Sequence, residues 1–161
     1  MSRLIATMGG VGLLRPAPGT WGSAVALALG VGLHIVGGAL AVVLGSLVAM
    51  AVGYWAVNRE VGTSAEDPSE IVIDELAGQW VALWTVSIGA SMTNSDILTL
   101  WPGIVTAFIA FRAFDILKPG PVGWADQQHG AFGIMADDVI AGWLAAMVVA
   151  LFAVVAHLVV M

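Results

Sequence analysis

The residues able to do chemistry crowd into one stretch, 111–142, which reads FRAFDILKPGPVGWADQQHGAFGIMADDVIAG. It holds Arg112, Asp115, Lys118, Asp126, His129, Asp137 and Asp138. Two other groups of the same kind stand earlier in the chain. One is Asp74-Glu75, preceded by Glu66 and Asp67, and the other is the loop Arg15-Pro16-Ala17-Pro18-Gly19-Thr20-Trp21-Gly22-Ser23. Acids in number, accompanied by a few cations and by Gly and Pro, suggest a metal and an anionic ligand. Carboxylate oxygens suit a hard divalent ion such as Mg2+, while Arg offers phosphate a forked donor set and Lys a point charge.

Their surroundings are unusual for such groups. Of the 161 residues 60% are hydrophobic and 10% charged, and mean hydropathy is +0.97. Ordinary globular chains are about a quarter charged, so the composition is that of a membrane protein of one domain, residues 1–161. Ionisable groups in such a chain mark a water-facing surface or a working site. Five Lys/Arg are too few to neutralise a run of phosphates, which argues against nucleic acid as a partner. With no cysteine, disulfides, thiolate-zinc sites and cysteine nucleophiles are excluded. The apolar start after Arg3 lacks a convincing cleavage site and is expected to be retained.

The elements that must position the acids follow from hydropathy and breakers. Residues 4–14 are too short to span and predict an interfacial or re-entrant helix. Hydrophobic helices are expected over 22–37 and 39–57, with Gly37-Gly38 as the turn between them and His34 as an interfacial side chain beside it. A third is expected over 71–91, with Asp74 and Glu75 in its first turn, and a fourth over 97–117, stopped by Lys118-Pro119-Gly120-Pro121. After a polar loop, Asp137-Asp138 open a fifth helix to about residue 160, which carries His157 as a structural side chain. The fold class is all-α: a polytopic bundle of about five membrane helices plus the short N-terminal one. Arg3, Arg15, Arg59, Arg112 and Lys118 then share one side, cytoplasmic by the positive-inside rule. Every acid except Asp96 joins them there.

Each constellation has a plainer explanation. Asp74 is followed at i+4 by Gly78 and Asp138 by Gly142, and a glycine one turn below a carboxylate lets a neighbouring helix approach closely. Helices packed through these glycines bring their acids together, which demands a cation between them. Either pair alone is explained as well by acids complementing a helix dipole. Arg112 and Asp115, three apart, can simply pair. The Arg15–Ser23 loop reads as a helix start capped by Thr20 or Ser23, or as a phosphate site at that helix N-terminus. His129 is a loop histidine or a proton donor. The seven tryptophans, mostly near helix ends, are expected to be interfacial. No paired DxD motif, no SGH-type histidine-nucleophile signature and no Walker-type loop is present, so covalent phosphatase chemistry has little to carry it.

The blocks RPAPGTWGS (15–23), DPSEIVIDELAGQW (67–80), FRAFDILKPGPVGW (111–124) and HGAFGIMADDVIAG (129–142) resemble the phosphatidylglycerophosphatase A family, in order and spacing, over nearly the whole chain. One departure is Gln127, where the family is expected to carry a basic residue. The resemblance implies a Mg2+-dependent lipid phosphatase of the bacterial inner membrane. It would release the terminal phosphate of phosphatidylglycerophosphate by metal-activated water at a cytoplasm-facing site. Asp74, Glu75, Asp137 and Asp138 would hold one or two Mg2+. Arg112 and Lys118, with Arg15, Thr20, Ser23 and His129, would bind the phosphate, and Asp115 or Asp126 would handle the attacking water. An ion-coupled carrier or a lipid-phosphate-binding protein is the alternative from another class. Against a carrier, acids at one membrane edge are not a midplane site. A CDP-alcohol phosphatidyltransferase is excluded by the missing DGxxAR…GxxxDxxxD pattern.

Overall fold

Alternation between apolar runs and Gly/Pro breakers produces a bundle of helices, with no strand among the described residues. The structure, a computed structural model, describes residues 1–61 and 68–160. Glu66 and Asp67, which the sequence placed among the acids of the site's side, lie outside the described residues.

The helices are α1 (Ser2–Ala6), α2 (Pro18–Val61), α3 (Ile73–Ala82), α4 (Trp84–Thr93), α5 (Trp101–Leu117), α6 (Pro121–Asp126) and α7 (Gly130–Val160). A 3-10 segment, Met8–Leu13, follows α1, and another, Ile97–Leu100, leads into α5. The 44-residue α2 is interrupted at Gly38, whose φ of 65° and ψ of −162° are open to glycine and strained for other residues. The chain turns back there: a Cβ on Gly45 would lie 2.7 Å from Leu33 Cδ2. The expected turn is therefore at Gly38, and the Ser91 hydroxyl accepts from the Ala39 amide beside it at 3.1 Å. Among the described residues three stretches are long and apolar enough to cross a membrane: Pro18–Val61, Ile97–Leu117 and Gly130–Val159.

Packing is inside-out relative to a water-soluble bundle. The buried positions are mostly small, among them Ala26, Ala49, Ala56, Ala77, Ala107, Ala141 and Ala145, while Leu29, Leu40, Leu44, Ile109, Leu151 and Phe152 face outward. Lipid tails are as apolar as leucine, so outward leucines cost nothing there and small interior residues let backbones approach. Phe111 is the largest side chain that is fully buried.

Interhelical hydrogen bonds tie the bundle. Trp80 Nε1 donates to the Ala26 carbonyl at 2.7 Å, Trp84 Nε1 to Ser46 Oγ at 3.1 Å, and Thr85 Oγ1 to the Ala146 carbonyl at 3.0 Å. These bonds correct the interfacial reading for two tryptophans. Trp80 fits between Gly30 and Gly45 of the two arms of α2, and Trp84 meets Trp143 edge-on at 5.0 Å. An indole N–H can sit inside an apolar bundle once it has an acceptor. Trp21, Trp55, Trp101, Trp124 and Trp143 are exposed. His34 is held by Ser87 Oγ at 2.7 Å, and His157 is exposed on the last turns of α7.

Two expectations about the polar stretch are corrected. Residues 121–126 form a short helix rather than loop, and α7 begins at Gly130, seven residues before Asp137. Two glycines in HGAFG look like a loop by helix propensity. Gly133 is there because a Cβ would run into the Gln128 carbonyl as α7 turns back on α6. Asp137 and Asp138 are therefore not in a first turn, and the helix dipole does not account for them.

Candidate active site

The crossing of α3 and α7 sets the site. A Cβ on Gly78 would overlap the Asp138 carbonyl and come within 2.6 Å of Phe111 Cε2. One on Gly142 would overlap the Gly78 carbonyl and lie 3.1 Å from Val81 Cβ. The two helices touch backbone to backbone at the glycines that follow the acids by one turn.

The contact brings three carboxylates together. Asp74, Glu75 and Asp138 each offer an oxygen within 4.8 Å of the others. Asp74 and Asp138 are buried and Glu75 nearly so. At that separation two full charges repel by roughly 3 kcal/mol, taking an effective dielectric of about 20. Arg112 on α5 is the cation at hand. Its Nη1 pairs with Asp115 Oδ2 at 2.5 Å, donates to Ser23 Oγ at 3.3 Å and stands 3.9 Å from Glu75 Oε1. Asp115 also lies within electrostatic reach of Asp138. Among the described residues four carboxylates thus face one guanidinium, a formal excess of three negative charges, and a buried excess of that size needs a counter-ion or protons.

A divalent cation fits the donors. Glu75 Oε2 and Asp138 Oδ2 are buried carboxylate oxygens without a hydrogen-bond partner, as is the Nε of Arg112. Buried polar atoms are normally paired, and an all-oxygen anionic set matches Mg2+ or a similar hard ion.

The start of α2 closes the site from another side. A Cβ on Gly19 would collide with Glu75 Oε1 and lie 3.3 Å from both terminal nitrogens of Arg112. Ser23 Oγ donates to the Gly19 carbonyl at 2.8 Å, which fixes it facing Arg112. The first turn of α2 therefore stands beside the guanidinium, a combination that suits an anion.

A second polar cluster lies alongside. Lys118, in a left-handed conformation at the end of α5, donates to Asp126 Oδ1 and, at 2.8 Å, to Asp137 Oδ2. The other oxygen of Asp137 accepts the Asp138 amide at 2.9 Å. Both oxygens of Asp137 are thus engaged, and it is not part of the triad. Burial works against the Lys118 ammonium, but its bonds to Asp126 and Asp137 outweigh this and raise its pKa above the ordinary lysine value.

Of the residues singled out in the sequence, Asp74, Glu75, Asp138, Arg112, Asp115 and Ser23 come together. Lys118, Asp126 and Asp137 form the neighbouring cluster. Arg15, Thr20 and His129 are exposed. Sequence reasoning passed over Gly19, whose missing side chain admits Glu75 and Arg112, and the buried Gln79. The PGT run signalled the first only as a turn.

Among solved structures none matches this chain. The sequence is 36% identical over 148 residues to a Phosphatidylglycerophosphatase A of Haemophilus influenzae, covering 91% of this chain and 85% of that protein. It is 31% identical over 147 residues to a Phosphatidylglycerophosphatase A of Escherichia coli, covering 89% and 78%. A Bacteroides thetaiotaomicron protein, named as a proposed phosphatidylinositol-3-phosphatase, is 35% identical over 143 residues, covering 86% and 85%. The family profile described as Phosphatidylglycerophosphatase A matches residues 4–153, and the chain belongs to that family.

Proposed function

We propose that this protein hydrolyses phosphatidylglycerophosphate to phosphatidylglycerol and phosphate in a bacterial inner membrane, as one domain with its active site toward the cytoplasm. Family membership makes it a phosphoric monoester hydrolase of phospholipid metabolism. The observation that carries the mechanism is the triad Asp74, Glu75 and Asp138, with two orphaned oxygens, beside Arg112.

In this reading the two arms of α2, the α3–α4 pair, the 97–117 helix and α7 cross the bilayer five times, and α1 with the 3-10 segment stays at one surface. The triad holds the Mg2+. When bound, Mg2+ neutralises phosphoryl charge and makes water a nucleophile near neutral pH. Arg112 and the first turn of α2, with Ser23, hold the phosphoryl oxygens where negative charge develops. Asp115 holds the Nη1 end of Arg112 and, in this reading, takes a proton from the attacking water. Lys118, with Asp126 and Asp137, staples α5, α6 and α7 around the site. Arg15, Thr20 and His129 would meet the substrate at the surface, on approach. The acyl chains remain in the bilayer while the terminal phosphate reaches the acids.

Phosphate release by the purified protein in detergent tests this. Phosphatidylglycerophosphate, phosphatidic acid and phosphatidylinositol 3-phosphate are compared, each with Mg2+ and with a chelator. Mg2+-dependent release from the first substrate is the expected result. Preference for the inositol lipid would reassign the substrate, and chelator-resistant release would overturn the metal role.

A further inference from the structure

Gln79 is wholly buried, and neither its amide nitrogen nor its amide oxygen has a hydrogen-bond partner. A buried primary amide left in that state is a liability that methionine or leucine at the same place would avoid. Its position suggests what offsets the cost. Gln79 follows Glu75 by four residues within α3, so the two share a helix face one turn apart. Glu75 is itself incomplete: Oε1 faces Arg112 at 3.9 Å and Gly19, whereas Oε2 is buried and unpartnered. A donor with nothing to donate to and an acceptor with nothing to accept thus lie on adjacent turns.

We propose that Gln79 is a positioning residue for Glu75. In the cation-loaded site its amide N–H donates to Glu75 Oε2 and fixes the orientation in which that carboxylate meets the ion. The inference rests on the cation reading above and adds a residue to it. Groups that orient a metal-binding carboxylate change metal affinity by about 10–100-fold when removed. The chain keeps a polar residue at a dry position because the loaded site uses it, at the expense of the empty one.

The test is thermal unfolding of the full chain in detergent, first in chelator and then across a Mg2+ titration, for the wild type, Gln79→Met and Gln79→Leu. Two substitutions of different shape guard against one that packs badly. Without metal, at least one variant should unfold at the wild-type temperature or above it. The Mg2+ concentration giving half-maximal stabilisation should rise about tenfold in that variant. A Mg2+ midpoint within twofold of wild type would overturn the inference and leave the metal site standing. Loss of stability in both variants without metal would also overturn it, by showing that the amide is used in the empty protein. A wild type that Mg2+ does not stabilise at all would sink the cation reading and the inference together.

Discussion

Asp137 and Asp138 are consecutive residues on α7, yet they serve two different clusters. Asp137 has both oxygens engaged, by Lys118 and by the Asp138 amide. Asp138, one residue on and rotated about 100° round the helix, points into the triad with an orphaned oxygen. The first cluster sets two acids against a lysine and is locally satisfied. The second sets four acids against an arginine and is not. A satisfied cluster is what holds a corner of a bundle together, whereas an unsatisfied one is what a ligand completes. Sequence adjacency alone gives no reason to separate the two.

The largest effect that separates the clusters is expected in the triad. Asp138→Asn should lower turnover by roughly a hundredfold or more, a loss of several kcal/mol in transition-state stabilisation, with helical content by circular dichroism unchanged. Arg112→Lys comes next. Lysine keeps the charge but not the planar guanidinium, whose Nη1 alone meets Asp115 and Ser23 and whose remaining donors an ammonium does not reproduce, so kcat/KM should fall by about 10–100-fold. If lysine sufficed, the guanidinium would be a structural partner of Asp115 alone.

A third prediction concerns the scaffold that makes the triad. Gly142→Ala places a methyl group against the Gly78 carbonyl and Val81, and forcing the helices apart should cost about 1–3 kcal/mol of stability. Thermal unfolding measures the cost, and the Mg2+ requirement should rise with it because the acids separate.

The smallest effect is expected at the satisfied cluster. Lys118→Met leaves Asp137 short of a partner and should destabilise the protein by about 1–3 kcal/mol, with activity reduced less than tenfold. Its pH dependence has a definite sign. Because the folded-state pKa of Lys118 is raised, its contribution is complete below the ordinary lysine pKa and is lost only as pH rises through the folded value. The stability difference between wild type and Lys118→Met should therefore stay level between about pH 7 and 9. A difference that fades over this range would show that the lysine is not held by its acids.

How far the sequence could be read varies with how local the cause is. The reversal at Gly38 and the stop after Leu117 depend on Gly and Pro and are legible in a few residues. So is the α3–α7 crossing, because Gly78 and Gly142 repeat the same i+4 spacing from an acid. The division of labour between Asp137 and Asp138 was not legible, since it depends on Lys118 reaching across from α5. The beginning of α7 was hidden for a similar reason: Gly133 reads as a breaker until the Gln128 and Ala125 carbonyls it packs against are in view. Trp80 and Trp84 resemble interfacial aromatics until their acceptors, Ala26 and Ser46, are brought beside them. Gln79 carried no signal at all, because a glutamine in an apolar helix does not declare whether it has a partner.

The most direct test of the account sets Asp137→Asn beside Asp138→Asn, with phosphate release from phosphatidylglycerophosphate followed across a Mg2+ titration. The account predicts that Asp138→Asn loses turnover by roughly a hundredfold or needs far more Mg2+. Asp137→Asn should keep the wild-type Mg2+ midpoint and lose only stability. Equal losses in the two variants, or full Mg2+-dependent turnover by Asp138→Asn, would contradict the division between a structural and a working cluster.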